Sequence, residues 1–264
     1  MTDFNTLQLE SDARGVYTLW LNRPDRNNAF DARMIDELIE ALGHANEQHN
    51  LRLLVLRGHG RHFCAGADLA WMQASAALDY DANLRDARQL GELMERLYNF
   101  GAPTLAVVQG AAFGGALGLV SCCDLAIGLS DAVFSLSEVR IGLVPAVISP
   151  YVVQAIGARA ARRYALTAER FDGRQAQALG LLAECYAAEE LEAALQKWIG
   201  TLLSNSPQAM RATKALLHEV GDGTLTPALR QRTETVIAGI RVSAEGQEGL
   251  SAFLDKRQPA WQEQ

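Results

Sequence analysis

Across residues 16–136 the chain alternates short apolar runs with stretches of helical periodicity, and this alternation restricts it to sheets covered by helices. Val16–Leu21 alternates in polarity and is rich in strand formers, and Asn22-Arg23-Pro24-Asp25 then makes a turn. Met34, Ile35, Leu38, Ile39 and Leu42 recur at helical spacing behind Asp31, whose carboxylate suits a helix N-cap. Residues 51–56 form an apolar run bounded by Gly58 and Gly60, as in a buried strand. A longer helix is predicted over 81–100, with Leu84, Leu93 and Leu97 on one face, and Pro103 precedes a strand at Thr104–Val108. Residues 124–127 and 132–136 add two short strands, so the predicted class is α/β.

Beyond Gly157 strand signals fade. Helices are predicted at Leu191–Leu203, at 207–218 with Ser206 as cap, and at 245–256. We therefore expect a core over residues 1–200 and a helical oligomerisation region over 201–264, whose surplus apolar faces predict a homo-oligomer. At 264 residues, 49% hydrophobic and 21% charged, the chain can bury a full core and is not disordered. A net charge of −7 argues against nucleic acid as partner, while leaving room for a local cationic pocket. No signal or transit peptide is visible at the N-terminus, so the expected location is cytoplasmic.

Residues 104–123 are nearly uncharged, with Gly110, Gly114 and Gly118 at GxxxG spacing, which raises a membrane helix. Pro103, Gln109 and Asp124, with no flanking Lys or Arg, favour a buried strand, turn and helix instead. Cys64, Cys122, Cys123 and Cys185 lack metal-ligand spacing and read as small apolar residues, so no metal is expected; Cys64 as a nucleophile lacks a partner base.

Three segments carry chemistry. In His62-Phe63-Cys64-Ala65-Gly66-Ala67-Asp68-Leu69, Gly66 allows a tight turn that aims the Ala67 N–H outward; the plainer reading makes Asp68 a helix N-cap in an ordinary connection. Gln109-Gly110-Ala111-Ala112-Phe113-Gly114-Gly115 follows a strand and opens a helix, where uncommitted N–H groups favour a developing anion; close helix packing is the alternative. In Phe134-Ser135-Leu136-Ser137-Glu138-Val139-Arg140, Glu138 sits among apolar residues that would raise its pKa, unless it merely pairs with Arg140 at the surface.

In this order and spacing the segments resemble the crotonase (enoyl-CoA hydratase/isomerase) superfamily. Leu21-Asn22-Arg23-Pro24 with Asn28-Ala29, and Phe253-Leu254-Asp255-Lys256-Arg257, extend the likeness over nearly the whole chain. The resemblance implies a spiral of ββα units, a C-terminal helical trimerisation region and a hexamer built from two trimers. It implies a coenzyme A thioester as substrate, with no separate cofactor. Ala67 and Gly115 would donate to the thioester oxygen, with Gly114 beside them. Arg26, Ala29, Ala65, Asp68 and Leu69 would line the coenzyme A path, with Phe253 and Lys256 approaching from a neighbouring subunit.

One position departs from the hydratase pattern. The family's usual second glutamate, three residues after the oxyanion glycine, is here Gly118, leaving Glu138 alone. A single base suits an enoyl-CoA isomerase. The stretches 142–150 and 160–171 are nevertheless similar to bacterial 3-methylglutaconyl-CoA and isohexenylglutaconyl-CoA hydratases of leucine and acyclic-terpene breakdown. Those substrates carry a second carboxylate, for which Arg85, Arg88 and Arg140 are candidate partners. The expected activity is hydration of a branched, 3-substituted glutaconyl-type enoyl-CoA. The alternatives are an isomerase and a non-catalytic acyl-CoA or RNA-binding homologue.

Overall fold

In the computed structural model, residues 4–221 and 223–262 are described. Nine strands are found among them: β1 (Leu7–Ser11), β2 (Val16–Leu21), β3 (Leu53–Gly58), β4 (Thr104–Val108), β5 (Ala111–Phe113), β6 (Leu125–Leu129), β7 (Val133–Ser135), β8 (Phe171–Asp172) and β9 (Glu184–Tyr186). The helices are α1 (Ala32–Asn46), α2 (Leu69–Ala76), α3 (Tyr80–Tyr98), α4 (Gly115–Cys122), α5 (Ser149–Ile156), α6 (Ala158–Thr167), α7 (Gly173–Ala178), α8 (Leu191–Leu203), α9 (Pro207–Val220), α10 (Pro227–Val242) and α11 (Ala244–Leu254).

The main sheet runs β1-β2-β3-β4-β6-β9, parallel except for the β1–β2 hairpin. Both faces of its central strands are covered, which explains their unbroken apolar runs. Leu54, Leu56, Ala106 and Val108 point into the larger core, which also takes in α1, α3 and α4, while Leu53, Val55, Leu105 and Val107 meet Leu191, Leu195 and Ile199 of α8.

A second, smaller layer sets the architecture. β5 pairs with β7 in parallel, β7 with β8 antiparallel, and isolated bridges join Cys64 to Ala112 and Phe30 to Ala67. Each strand of the main sheet from β2 to β6 is thus followed by a short extended piece in the second layer and then by helix: β2, Phe30, α1; β3, residues 64–67, α2; β4, β5, α4; β6, β7, α5. This is the expected spiral of ββα units. The residues considered for a membrane helix divide among β4, β5 and α4, and no helix among the described residues is long and apolar enough to cross a membrane.

Local chemistry starts the helices. Asp31, Asp79 and Ser206 accept from the amides of Met34, Ala82 and Ala209, capping α1, α3 and α9. Polar anchors tie the C-terminal helices to the core: Arg211 of α9 donates to Leu51 O at 2.6 Å, Lys214 of α9 pairs with Asp124 at 2.8 Å, and Arg52 donates to the carbonyls of Leu203, at the end of α8, and Trp261, beyond α11.

Candidate active site

The two loops that close the second layer lie side by side. The Cys64 N–H donates to Ala111 O at 3.0 Å, and the Phe113 N–H donates to Cys64 O at 3.1 Å. On the other flank, the Phe30 N–H donates to Gly66 O and the Asp68 N–H to Phe30 O, at 2.8 and 2.7 Å. That pattern commits the neighbours of Ala67 to Phe30 and turns the Ala67 N–H away from Phe30. Gly66 makes the bend possible with φ +95°, and a Cβ there would stand 3.0 Å from Phe113 O.

Gly115 is the first residue of α4, so its N–H precedes the helical ladder. Neither the Ala67 nor the Gly115 N–H has an acceptor among the described residues. Phe30 joins them: it pairs with Ala67 through backbone, and its ring lies so close to Gly115 that a Cβ there would be 3.2 Å from Cε2. Two free donors, one at a helix N-terminus, therefore lie on residues packed against or paired with Phe30, and can converge on an oxygen that gains charge.

Glu138 completes the arrangement. The Gly114 N–H donates to Ser135 O at 2.9 Å, which brings β7 and the residues after it against the Gly114 turn. Gly114 has φ 53° and ψ −122°, and a Cβ on it would come 3.0 Å from Glu138 Oε1. Glu138 opens a 3-10 turn, Glu138–Ile141, rather than ending the preceding strand. It is partly buried, and its Oε2 has no hydrogen-bond partner among the described residues. Burial pushes its carboxyl above the usual carboxylate range, against a smaller opposing effect of its own backbone N–H. Such a group suits a general base.

The sequence model of the enoyl-CoA hydratase/isomerase family matches residues 11–264. The chain belongs to this family. Among solved structures this crotonase-family protein is similar to an enoyl-CoA hydratase from Shewanella pealeana ATCC 700345. They share 49% identity and a TM-score of 0.94 over 98% of this chain and 96% of that one. It is also similar to AtuE of Pseudomonas aeruginosa, at 41% identity and TM-score 0.93 over 97% and 99% of the two chains. The 2,3-dehydroadipyl-CoA hydratase of Escherichia coli K12 is 32% identical, over 92% of this chain and 94% of that protein.

The other expected site residues fall into two groups. Arg26, Ala29, Ala65, Asp68 and Leu69 lie together beside the donor strip: the Ala65 N–H donates to Asn27 O, the Ala29 N–H to Arg26 O, and Leu69 opens α2, 79% exposed. The Arg26 side chain is exposed and carries no ion pair among the described residues. Asp68 is engaged structurally, as the plainer sequence reading had it. It caps α2 through the Ala70 and Trp71 amides and pairs with Arg23 at 3.1 Å. Phe253 and Lys256 are exposed at the end of α11, which packs on α9 and α10, elements that make none of the contacts described around the donor strip.

Arg140 donates to Ala168 O at 2.7 Å rather than pairing with Glu138, which removes the surface ion pair considered for that glutamate. Arg85 and Arg88 are exposed on α3. Cys64 is fully buried and its thiol is pushed up to about 12 by that burial, which disfavours the thiolate a nucleophile needs.

Several working residues escaped the sequence reading. Arg23 holds Asp31 at 3.0 Å and Asp68 at 3.1 Å and donates to Ala29 O, clamping the first loop to the second. Asn28, buried at a left-handed φ of 55°, donates to the carbonyls of His59 and His62. Their only signal was membership of the Asn-Arg-Pro and Asn-Ala motifs. Ile148, which packs against Gly118, left no signal at all.

Proposed function

We propose that the protein is an enoyl-CoA hydratase-type hydro-lyase acting on a branched, 3-substituted glutaconyl-type enoyl-CoA, 3-methylglutaconyl-CoA or isohexenylglutaconyl-CoA. The observation that carries the reading is the Glu138 carboxylate set over Gly114, next to the free N–H of Gly115. In the reaction, the two N–H groups hold the thioester oxygen as it becomes enolate-like, each removing about 3–4 kcal/mol of barrier. Glu138 takes a proton from water as the water oxygen bonds to C3, the C2–C3 π electrons pass into the enolate held by the two N–H groups, and the protonated Glu138 or solvent delivers a proton to C2. Coenzyme A enters as part of the substrate, and no separate cofactor takes part.

The second carboxylate is the finer part of the proposal. It is supported by the sequence likeness over 142–150 and 160–171, and by a relative whose name specifies an adipyl, hence dicarboxylic, acyl group. Arg85, Arg88 and Arg140 are the candidate cations. We also propose that residues 201–264 mediate a homo-oligomer, a hexamer of two trimers. The supporting observation is exposed apolar surface there, including Ile237, Val242, Leu250, Phe253 and Leu254.

One observation favours the isomerase as the second reading. Residue 118 lacks a side chain and its place is filled with hydrocarbon, so Glu138 works without the family's usual partner. A panel of enoyl-CoA esters in labelled water separates the two. The hydratase removes conjugated absorbance and incorporates label at C3, with glutaconyl-type esters preferred over crotonyl-CoA. Gain of conjugation from a 3-enoyl-CoA without label would establish the isomerase instead.

A further inference from the structure

We propose that Gly118 and Ile148 form a size-matched pair that positions the Glu138 carboxylate, Ile148 being a positioning residue for the reaction. This rests on the reading of Glu138 as base. The segment that begins at Glu138 ends at Ile148, and both ends dock on the same short stretch of chain. Glu138 Oε1 lies over Gly114, and Ile148 lies over Gly118, one helical turn further on. A Cβ on Gly118 would stand 2.8 Å from Ile148 Cβ, closer still to Ile148 Cγ2, and 3.3 Å from Met94 Cε. Nothing larger than glycine fits while α5 keeps its approach to α4.

Neither neighbour can yield cheaply. Ile148 is 2% exposed, and its carbonyl accepts from the Val152 N–H at 3.1 Å, the first link of α5. Met94 is fully buried and touches Cys122 Sγ at 3.7 Å. The segment between is braced within itself: Leu143 N–H donates to Glu138 O, Ala146 N–H to Val144 O, and Ser149 N–H to Ala146 O. Glu138 and Ile148 are thus the two docked ends of one short segment, and the inference is that a displacement at Ile148 reaches Glu138 along it. Gly118 thus has two effects. It excludes a second carboxylate, and it lets α5 approach closely enough to seat the first.

The test compares kcat, KM and the pH profile of kcat for Gly118→Ala, Ile148→Ala and the conservative Ile148→Val, using whichever enoyl-CoA the wild type turns over. A base moved by about an ångström can lose up to about a hundredfold in rate. Gly118→Ala and Ile148→Ala are each expected to lose about tenfold or more in kcat, with KM changed by less than about threefold and the acid limb shifted. Ile148→Val, which keeps the Cβ and Cγ2 that face Gly118, is expected to retain most of the wild-type kcat and the wild-type limb. Wild-type kcat in folded Gly118→Ala or Ile148→Ala overturns the inference. So does a folded Ile148→Val with kcat as low as Ile148→Ala. If Gly118→Ala does not fold, Ile148→Ala, which introduces no clash, decides. Glu138→Gln is measured alongside: if it keeps full activity the base assignment itself fails, whereas an inactive Glu138→Gln with indifferent 118 and 148 variants removes only the pairing.

Discussion

Glu138 Oε1 lies directly over the Cα of Gly114, where a Cβ would come within 3.0 Å of it, and Gly114 hands the chain to the free N–H of Gly115. A base and an anion-stabilising donor are thereby held on adjacent backbone. If Glu138 carries the proton, Glu138→Gln should lower kcat by about 10²–10⁴-fold with little change in KM, because the amide preserves shape but cannot accept the proton. Steady-state kinetics with a binding assay for a saturated acyl-CoA checks this.

The same carboxyl should shape two pH dependences of opposite sign. As a base it must be ionised, so kcat/KM is expected to fall as the pH drops through its raised pKa, at a higher pH than an exposed glutamate would give. Stability runs the other way. The folded state binds this proton more tightly than the unfolded state, so burial costs nothing below the unfolded pKa and destabilises as the pH rises through the folded one. Glu138→Gln should therefore raise Tm near pH 8 and leave it unchanged near pH 4, where the carboxyl is already neutral; thermal melts of both proteins at the two pH values check the sign.

Gly115→Pro removes one N–H at a helix position where proline is tolerated. Gly115→Ala adds the same Cβ toward Phe30 but keeps the donor, so the difference between the two reports the lost N–H together with the ring Cδ that takes its place. Gly115→Pro is expected to lose about 10²–10³-fold more kcat than Gly115→Ala, with both folded by circular dichroism.

Asp68 supports the Ala67 donor indirectly. Burial opposes its charge, yet the Ala70 and Trp71 amides and Arg23 outweigh it and hold its carboxyl below the usual range. A depressed folded pKa contributes stability above the unfolded pKa that is lost as the pH falls through the folded one. Asp68→Ala should cost about 1–3 kcal/mol in urea unfolding at neutral pH, with the deficit shrinking in acid.

What the sequence showed well was whatever depends on neighbours along the chain. Val16–Leu21, Thr104–Val108 and Leu191–Leu203 carry their own periodicity, and Asp31, Asp68 and Ser206 are caps recognisable from adjacent residues. Most of the second layer was illegible for the opposite reason. β5 and β8 are three and two residues long, and β5 exists because residue 64 pairs with residue 112 and residue 113 with residue 135. The family motifs located Ala67, Gly115 and Glu138, but no local pattern foretold Arg23 bridging Asp31 and Asp68, or Ile148 filling the space at Gly118. α10 was missed as well, its apolar residues being too scattered to form one clean stripe.

The central claim is that Ala67 and Gly115 polarise the thioester carbonyl. It is tested most directly by difference infrared spectroscopy of a carbonyl-¹³C enoyl-CoA bound to Glu138→Gln, where turnover is suppressed. Two N–H donors predict a C=O stretch at clearly lower frequency than in water, with part of that lowering lost when Gly115→Pro is added. A bound carbonyl at its solution frequency, indifferent to Gly115→Pro, would contradict it.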